Sequence, residues 1–406
     1  MSTLAVLSLH TSPLVQPGSG DSGGMNVYVR ELVGALAQAG VRCVVYVRGW
    51  QAGLPDVVDV EPGFRVVHID AGPPEQAKEA LPDVIDQYTA AVLSDIATVG
   101  DVDAIHANYW LSGVAGHAIK HELDLPLVST FHTLARVKAE TGDQEPQRRI
   151  EAEAAVIGCS DAILASCTAE AAQLASLYGA DPERIEIVPP GVDHAFFSPG
   201  DRGGARNALR IGDHHPVLLF VGRIQPLKGL DVAVRTLAEL RLDRPDAELL
   251  VVGGPSGVDG AAELARCQQL AVELGAAERI RWVAPQPHHL LSTYYRAADA
   301  VLVPSRSESF GLVALEAAAC GIPVVAAAVG GLRTLVEHGR TGFLVEGRRP
   351  EAFAAYAREI IENPMMAVAM AVRAHDRARH YTWNTTAGRL RRLYGDLTAR
   401  SLVECR

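Results

Sequence analysis

Cysteine is scarce and scattered in this chain. Its six residues (Cys43, Cys159, Cys167, Cys267, Cys320, Cys405) form no CxxC pair. That spacing offers neither a zinc ribbon nor a disulfide framework, and it predicts free thiols in a reducing compartment. Lysine is scarcer still: four of the 37 basic residues are lysine, at Lys78, Lys120, Lys138 and Lys228. Each lysine is therefore a rare choice against a background of arginine. Excess positive charge is missing as well. The net charge of −11 argues against a nucleic-acid partner while permitting local basic pockets. No run of 18 uncharged apolar residues occurs, so no membrane span is expected. No basic segment followed by a long apolar run opens the chain, so no signal peptide is expected and the setting is read as cytoplasmic. There is no GxGxxG after the first strand, which disfavours a nicotinamide cofactor. No Lys-Ser/Thr follows the first glycines, which excludes a P-loop. No HExxH or similar histidine spacing suggests a protein-built metal site, and none is expected.

What is present is alternation. At 406 residues with 48% hydrophobic content, the chain has material for two cores. Short apolar runs at Leu4–Leu9, Arg42–Val47, Arg65–Ile69, Ala104–Ala107, Leu127–Thr130 and Ala162–Ala165 read as buried strands. Helical patterns fall between them, at Met25–Gln38, Leu81–Thr98, Leu111–Glu122, Gln147–Ile157 and Ala169–Tyr178. The pattern breaks at Val188-Pro189-Pro190-Gly191, and a polar stretch rich in proline and glycine follows to Asp213. A second series opens at Val217–Val221 and continues through Leu249–Val252, Arg279–Val283, Ala300–Val303, Val324–Ala327 and Phe343–Val345. The tail Met370–Leu397 reads as helix with a break at Tyr381-Thr382-Trp383. The fold class is α/β: two doubly wound, Rossmann-like domains, over 1–190 and 191–382, facing a central cleft at the carboxyl ends of their strands.

Two phrases carry chemistry. Gly222-Arg223-Ile224-Gln225-Pro226-Leu227-Lys228-Gly229 places two cations in a punctuated turn after an apolar strand. Glu308-Ser309-Phe310-Gly311-Leu312-Val313-Ala314-Leu315-Glu316 places two carboxylates eight residues apart, the second within a helix. A diphosphate calls for cations, and sugar or ribose hydroxyls call for carboxylate acceptors. Together they suggest a nucleotide-sugar site. The loop from His10 to Gly24 is unusually long for a strand–helix connection, and Gly23-Gly24 stands where the next helix begins, which suits a phosphate. Lys78, Tyr109, Thr133 and Arg148 offer two cations and two hydroxyls, a set suited to one phosphate if they converge; singly, each reads more readily as a loop or surface residue than as a ligand. Asp101-Val102-Asp103 precedes its strand. It therefore lies at the wrong end of the sheet for a metal pair and reads as a turn and strand cap.

These phrases, with His10–Tyr28, Tyr109-Trp110-Leu111-Ser112-Gly113 and His132-Thr133-Leu134, resemble the retaining glycosyltransferases of GT-B fold, family 4. The resemblance runs from about Leu4 to Tyr394 and is nearest to the branch that begins mycothiol synthesis. It implies that Arg223 and Lys228 grip a donor diphosphate with the backbone of Gly24, and that Glu316 accepts from the ribose. Glu308 orients the donor sugar, the backbone of Phe310, Gly311 and Leu312 holds it, and His132 lies beside its reacting face. It also implies an acceptor pocket of Asn26, Lys78, Tyr109, Thr133 and Arg148. The implied reaction moves N-acetylglucosamine from UDP to 1D-myo-inositol 3-phosphate. UDP-glucose or another sugar nucleotide, with another cyclitol, sugar phosphate or natural-product acceptor, is the alternative. The resemblance further implies a helix over about 383–400 packing back on the first domain and a homodimer. It implies no organic cofactor, with magnesium, where used, accompanying the diphosphate. The chain departs from the branch at Asn108 and Thr130, where histidines are usual, and in a shortened stretch between Lys138 and Arg148; all lie on the acceptor side. An epimerase of the same shape and a non-catalytic nucleotide-sugar sensor are the competing readings.

Overall fold

Continuous apolar runs become parallel strands buried on both faces, as doubly wound sheets require. The computed structural model describes residues 3–405 apart from 19, 21, 141, 143, 213 and 214. Ser19 and Asp21 of the long first loop, and Asp213 at the end of the polar stretch, therefore lie outside the described residues. The first sheet contains β1 (Thr3–Leu7), β2 (Arg42–Arg48), β3 (Val57–Glu61), β4 (Phe64–Ile69), β5 (Ala104–Asn108), β6 (Leu127–Thr130), β7 (Ala162–Ala165) and β8 (Ile185–Ile187). Its order is β3-β4-β2-β1-β5-β6-β7-β8, and β3 alone pairs antiparallel, at the edge. The second sheet contains β9 (Val217–Val221), β10 (Glu248–Val252), β11 (Ile280–Val283), β12 (Ala300–Val303), β13 (Val324–Ala327) and β14 (Gly342–Val345). Its order is β11-β10-β9-β12-β13-β14, parallel throughout. Strand order reverses between β1 and β5 in the first sheet and between β9 and β12 in the second. Ligands of such sheets bind at the carboxyl ends of the strands flanking that reversal.

The chain divides into two units: 1–15, 25–191 and 383–406 in one, and 16–24 with 192–382 in the other. The stretch Gln16–Gly24, expected in the first domain, belongs with the second. A Cβ on Gly23 would meet Arg223 Nε at 2.8 Å, and Gly18 lies against Pro285. The C-terminal helix Trp383–Leu397 belongs to the first unit. Trp383 meets Tyr28 edge-on, Thr386 Oγ1 donates to Pro189 O at 2.8 Å, and the Tyr394 hydroxyl lies 2.8 Å from His106 Nδ1.

Two strands escaped the sequence reading. β3 is half-exposed and carries Asp59 and Glu61, so it lacks the apolar run of a core strand, and β8 has three residues, mostly exposed. Lys78 lies in no open loop: it begins a 3-10 helix, Lys78–Val84. Glu316 lies within a helix as expected, and that helix starts at Leu312, so Phe310 precedes it. The free-thiol expectation is corrected for two residues: Cys159 and Cys405 form a disulfide pair, because the C-terminal tail returns to the end of the helix Gln147–Cys159. Cys43, Cys167, Cys267 and Cys320 are buried outside any disulfide. Asp103 caps a strand as expected, its carboxylate accepting from Thr3 N at 2.9 Å. Among the described residues no helix is long and apolar enough to cross a membrane.

Candidate active site

In the second unit the turn after β9 is short and stiff. Pro226 opens a 3-10 turn, Pro226–Lys228, and Gly229 closes it in the left-handed region. Lys228 Nζ donates to both carboxylate oxygens of Glu308, at 2.6 and 2.8 Å. Glu308 lies in the loop after β12, so the pair joins the two strands at the order reversal. The backbone seconds it: Arg306 N donates to Leu227 O at 2.8 Å, and Gly331 N donates to Glu308 O at 3.0 Å. A Cβ on Gly330 would stand 1.9 Å from Glu308 O, so only glycine lets the loop after β13 press on the glutamate's backbone. Arg223 is half-buried beside Gly23, and Gly24 begins the helix Gly24–Gln38 next to Leu312. Gly311 takes φ +105°, and a Cβ there would meet Leu332 at 2.7 Å. That conformation ends the Glu308 loop and lets the helix Leu312–Ala319 begin, directing backbone N–H groups out of its first turn. Phe310 itself is buried, its ring against Tyr381.

Glu316 lies on the same helix and is 5% exposed. It accepts from the Tyr295 hydroxyl and faces His288 Nε2, each at 2.7 Å. Burial, and then the adjacent Glu316 charge, hold the Tyr295 phenol well above its ordinary range, so it stays a donor. His288, Tyr295 and Arg306 were missed from sequence. Arg306 carried a signal, standing two residues before Glu308; its Nε is buried without a hydrogen-bond partner.

In the first unit Tyr109 follows β5 directly and His132 stands two residues past the end of β6, with φ of +74° and +60°. Two such backbones in non-glycine residues on neighbouring strand ends mark a strained, functional rim. His132 Nε2 lies 2.9 Å from Asn108 Oδ1, and its ring meets Tyr28 edge-on. With Asn108 so oriented, Nε2 carries the proton. Asn108 Nδ2 is buried without a partner. His106 bridges Thr130 Oγ1 and the Tyr394 hydroxyl, each at 2.8 Å. The two departures from the family branch thus sit in hydrogen bonds with His132 and His106. Asn26 is buried, donating to Thr11 Oγ1 at 2.7 Å and Ser12 O at 2.6 Å, so it braces the first loop.

The four expected acceptor residues come together only in part. Arg148 is turned outward, 57% exposed, 3.3 Å from Asp83 of the 3-10 helix that Lys78 begins. The cation against Tyr109 and Thr133 is its neighbour Arg149. Arg149 lies over the Tyr109 ring at 5.0 Å and donates to Thr133 O and Oγ1 at 3.0 and 3.1 Å. Burial opposes its charge, but Tyr109, Glu153 and Glu145 outweigh that and hold the guanidinium above its usual range. One position along a helix turns a side chain by about 100°, so adjacent arginines cannot share a face.

Burial lowers the pKa of both His106 and His132 to about 3, His132 being lowered further by His106. In the unfolded chain each would titrate near 6.5. The folded state therefore binds fewer protons than the unfolded state between those values. Stability is full above about pH 6.5 and declines toward pH 3, by up to ~1.4 kcal/mol per pH unit for each histidine. Urea midpoints measured from pH 7.5 to 4.5 are expected to fall. Midpoints that stay level for the parent while changing in His106→Phe would place charged imidazoles in the fold.

The model described as "Glycosyltransferase Family 4" matches residues 22–196, and that described as "Glycosyl transferases group 1" matches 201–379. A D-inositol 3-phosphate glycosyltransferase of Actinosynnema mirum is 46% identical over 406 residues, covering 97% of both chains. One from Streptosporangium roseum is 43% identical, covering 98% of this chain and 94% of its own. Among solved structures, a sucrose-phosphate synthase from Thermosynechococcus elongatus matches with TM-score 0.92 at 32% identity, covering 98% of this chain and 100% of that one. Anabaena HepE, solved in complex with UDP-glucose, shares the fold at TM-score 0.79 and 20% identity, over 98% of this chain and 100% of its own.

Proposed function

We infer the reaction from membership: the chain belongs to the retaining family 4 glycosyltransferases of GT-B fold and is a glycosyltransferase. We propose that it transfers N-acetylglucosamine from UDP-N-acetylglucosamine to 1D-myo-inositol 3-phosphate; its relatives' names print D-inositol 3-phosphate. The observation that carries the donor side is the Lys228–Glu308 pair. The cation and the carboxylate that a sugar diphosphate needs are held against each other where β9 and β12 end. A bound donor replaces one partner for each: its diphosphate takes Lys228, and a sugar hydroxyl takes Glu308. Both groups stay compensated in either state, which matters because an unpaired buried charge is costly.

As the glycosidic bond breaks, negative charge grows on the leaving phosphate, and Arg223 and Lys228 meet it. Backbone N–H groups at Phe310, Gly311 and Leu312 hold the sugar, Gly24 assists at the diphosphate, and Glu316, fixed by Tyr295 and His288, accepts from the ribose. His132 is neutral and a weak base, so it positions the sugar by hydrogen bonding. The acceptor proton passes to the leaving phosphate oxygen in a same-face attack, and configuration is retained. The carboxylates here do not fit a magnesium cage: Glu308 is engaged by Lys228, and Glu316 by His288 and Tyr295. A magnesium ion arriving with the diphosphate would use the ligand's own oxygens. On the acceptor side Lys78, Tyr109 and Thr133 receive the phosphate, with Tyr109 and Thr133 placed by Arg149 and Asn26 held by the first loop; Arg148 joins them only by swinging away from Asp83.

The donor is tested by release of the nucleoside diphosphate from a panel of sugar nucleotides with inositol 3-phosphate present. UDP-N-acetylglucosamine is expected to lead. A lead for UDP-glucose reassigns the sugar, preference for ADP- or GDP-sugars overturns the donor reading, and conversion that needs no acceptor points to an epimerase. A homodimer is proposed on resemblance alone; light scattering that stays at the chain's own 43.2 kDa ends it.

A further inference from the structure

Four side chains that sugar transfer does not use meet at one place in the first unit. His117 and His121 lie four residues apart on the helix Tyr109–Leu123, so both imidazoles project from one face. Cys159 ends the helix Gln147–Cys159, and Cys405 arrives on the C-terminal tail. All four ligand atoms lie within 4.8 Å of one another. His121 Nε2 is 2.9 Å from Cys405 Sγ and 3.4 Å from Cys159 Sγ, and His117 Nε2 is 3.6 Å from Cys405 Sγ. A tetrahedral zinc ion with two sulfur and two nitrogen ligands sets neighbouring donor atoms about 3.3–3.8 Å apart. Two of the observed nitrogen–sulfur separations, 3.4 and 3.6 Å, fall in that range, and the third, 2.9 Å, is shorter.

We propose that this cluster binds one zinc ion through two imidazoles and two thiolates. A disulfide needs two sulfurs and gives no reason for two Nε2 atoms to converge on them. The reduced pair is the binding form: each thiol releases its proton to solvent as the metal takes its place. Disulfide and zinc site are thus exclusive states of the same cysteines. Four protein ligands close the coordination sphere, the pattern of a structural ion and not a catalytic one.

The tail is brought there independently of the metal. Lys120, one of the four lysines, lies between the two histidines in sequence and is 2% exposed. Its Nζ donates to Cys159 O at 2.8 Å, Asp161 Oδ2 at 2.8 Å and Val403 O at 3.1 Å. Val403 N in turn donates to Asp161 Oδ1 at 2.7 Å. The tail backbone is therefore pinned two residues before Cys405. The ion would tie residues 246 apart, across a span that holds nearly all of the second unit, and so secure the chain's return to the first.

The test uses the full chain without a histidine tag. The protein is reduced anaerobically, loaded with zinc chloride or cobalt chloride, desalted and assayed for metal. About one zinc per chain is expected, and the cobalt form should show thiolate-to-metal charge transfer with visible bands of tetrahedral cobalt. Cys405→Ser and His121→Ala alter exposed residues and should lose the metal while keeping sugar transfer and circular dichroism. The proposal is overturned if the reduced, folded parent retains neither metal, or if both variants bind as much as the parent. It is equally overturned if, in a redox buffer whose oxidised glutathione accepts the two electrons, the Cys159–Cys405 disulfide re-forms to the same extent with zinc as without it.

Discussion

Replacing Lys228 by alanine is expected to lower kcat by roughly 30- to 900-fold, the equivalent of about 2–4 kcal/mol for one transition-state charge contact. The loss falls on turnover because the charge that Lys228 meets grows as the sugar leaves. A second effect follows from the pair geometry. Without Lys228, the Glu308 carboxylate, 14% exposed, loses its bidentate partner in the empty enzyme. Glu308→Gln in the Lys228→Ala background removes that unpaired charge, so the double variant should be more stable to urea than Lys228→Ala alone. Steady-state kinetics on Lys228→Ala, with urea titration of the parent and both variants, checks both statements. Unchanged turnover in folded Lys228→Ala would make the pair purely structural.

Arg149→Ala is expected to cost about 3–5 kcal/mol of stability, the scale for removing one partner of a buried ion pair. Arg149 is 4% exposed and its partner Glu153 is fully buried, also accepting from Ala135 N and facing the Tyr178 hydroxyl. Taking the guanidinium away leaves that carboxylate buried and frees Thr133 and Tyr109 from their common support. A loss of this size is a large share of a domain's stability. The neighbouring Arg148→Ala should behave oppositely. Its contact with Asp83 is exposed and contributes about 0–1 kcal/mol. Folding should be almost unchanged while KM for a phosphorylated acceptor rises. Chemical denaturation and acceptor titrations on the two variants separate the roles. A folded, stable Arg149→Ala with weakened acceptor binding would transfer the phosphate contact to Arg149.

The residues proposed for the donor could be picked out because each comes from one short loop at the end of one apolar strand. Val217–Val221 and Ala300–Val303 announce β9 and β12, and the loops that follow carry Arg223, Lys228 and Glu308 within a few residues. What the sequence hid depends on direction or distance. Arg148 and Arg149 are equivalent on paper; a helical turn of about 100° sends one to solvent and the other under Tyr109. His288 and Tyr295 reach Glu316 from 28 and 21 residues away, with no local pattern to mark them. β3 was invisible because its carboxylates break the apolar run, as an edge strand allows. The pairing of Cys159 with Cys405 closes only through the tail's return. The His117–His121 spacing was a readable half of that cluster, since i and i+4 share a helical face.

The acceptor decides the account most directly, because Asn108 and Thr130 alter its surroundings while Lys78, Tyr109, Thr133 and Arg148 remain. The enzyme is supplied with UDP-N-acetylglucosamine and, separately, with 1D-myo-inositol 3-phosphate, free inositol, deoxystreptamine and hexose phosphates, and the products are followed by mass. The predicted result is rapid addition of one N-acetylhexosamine to inositol 3-phosphate with little product from free inositol. Equal or faster transfer to free inositol would contradict a pocket built to hold phosphate.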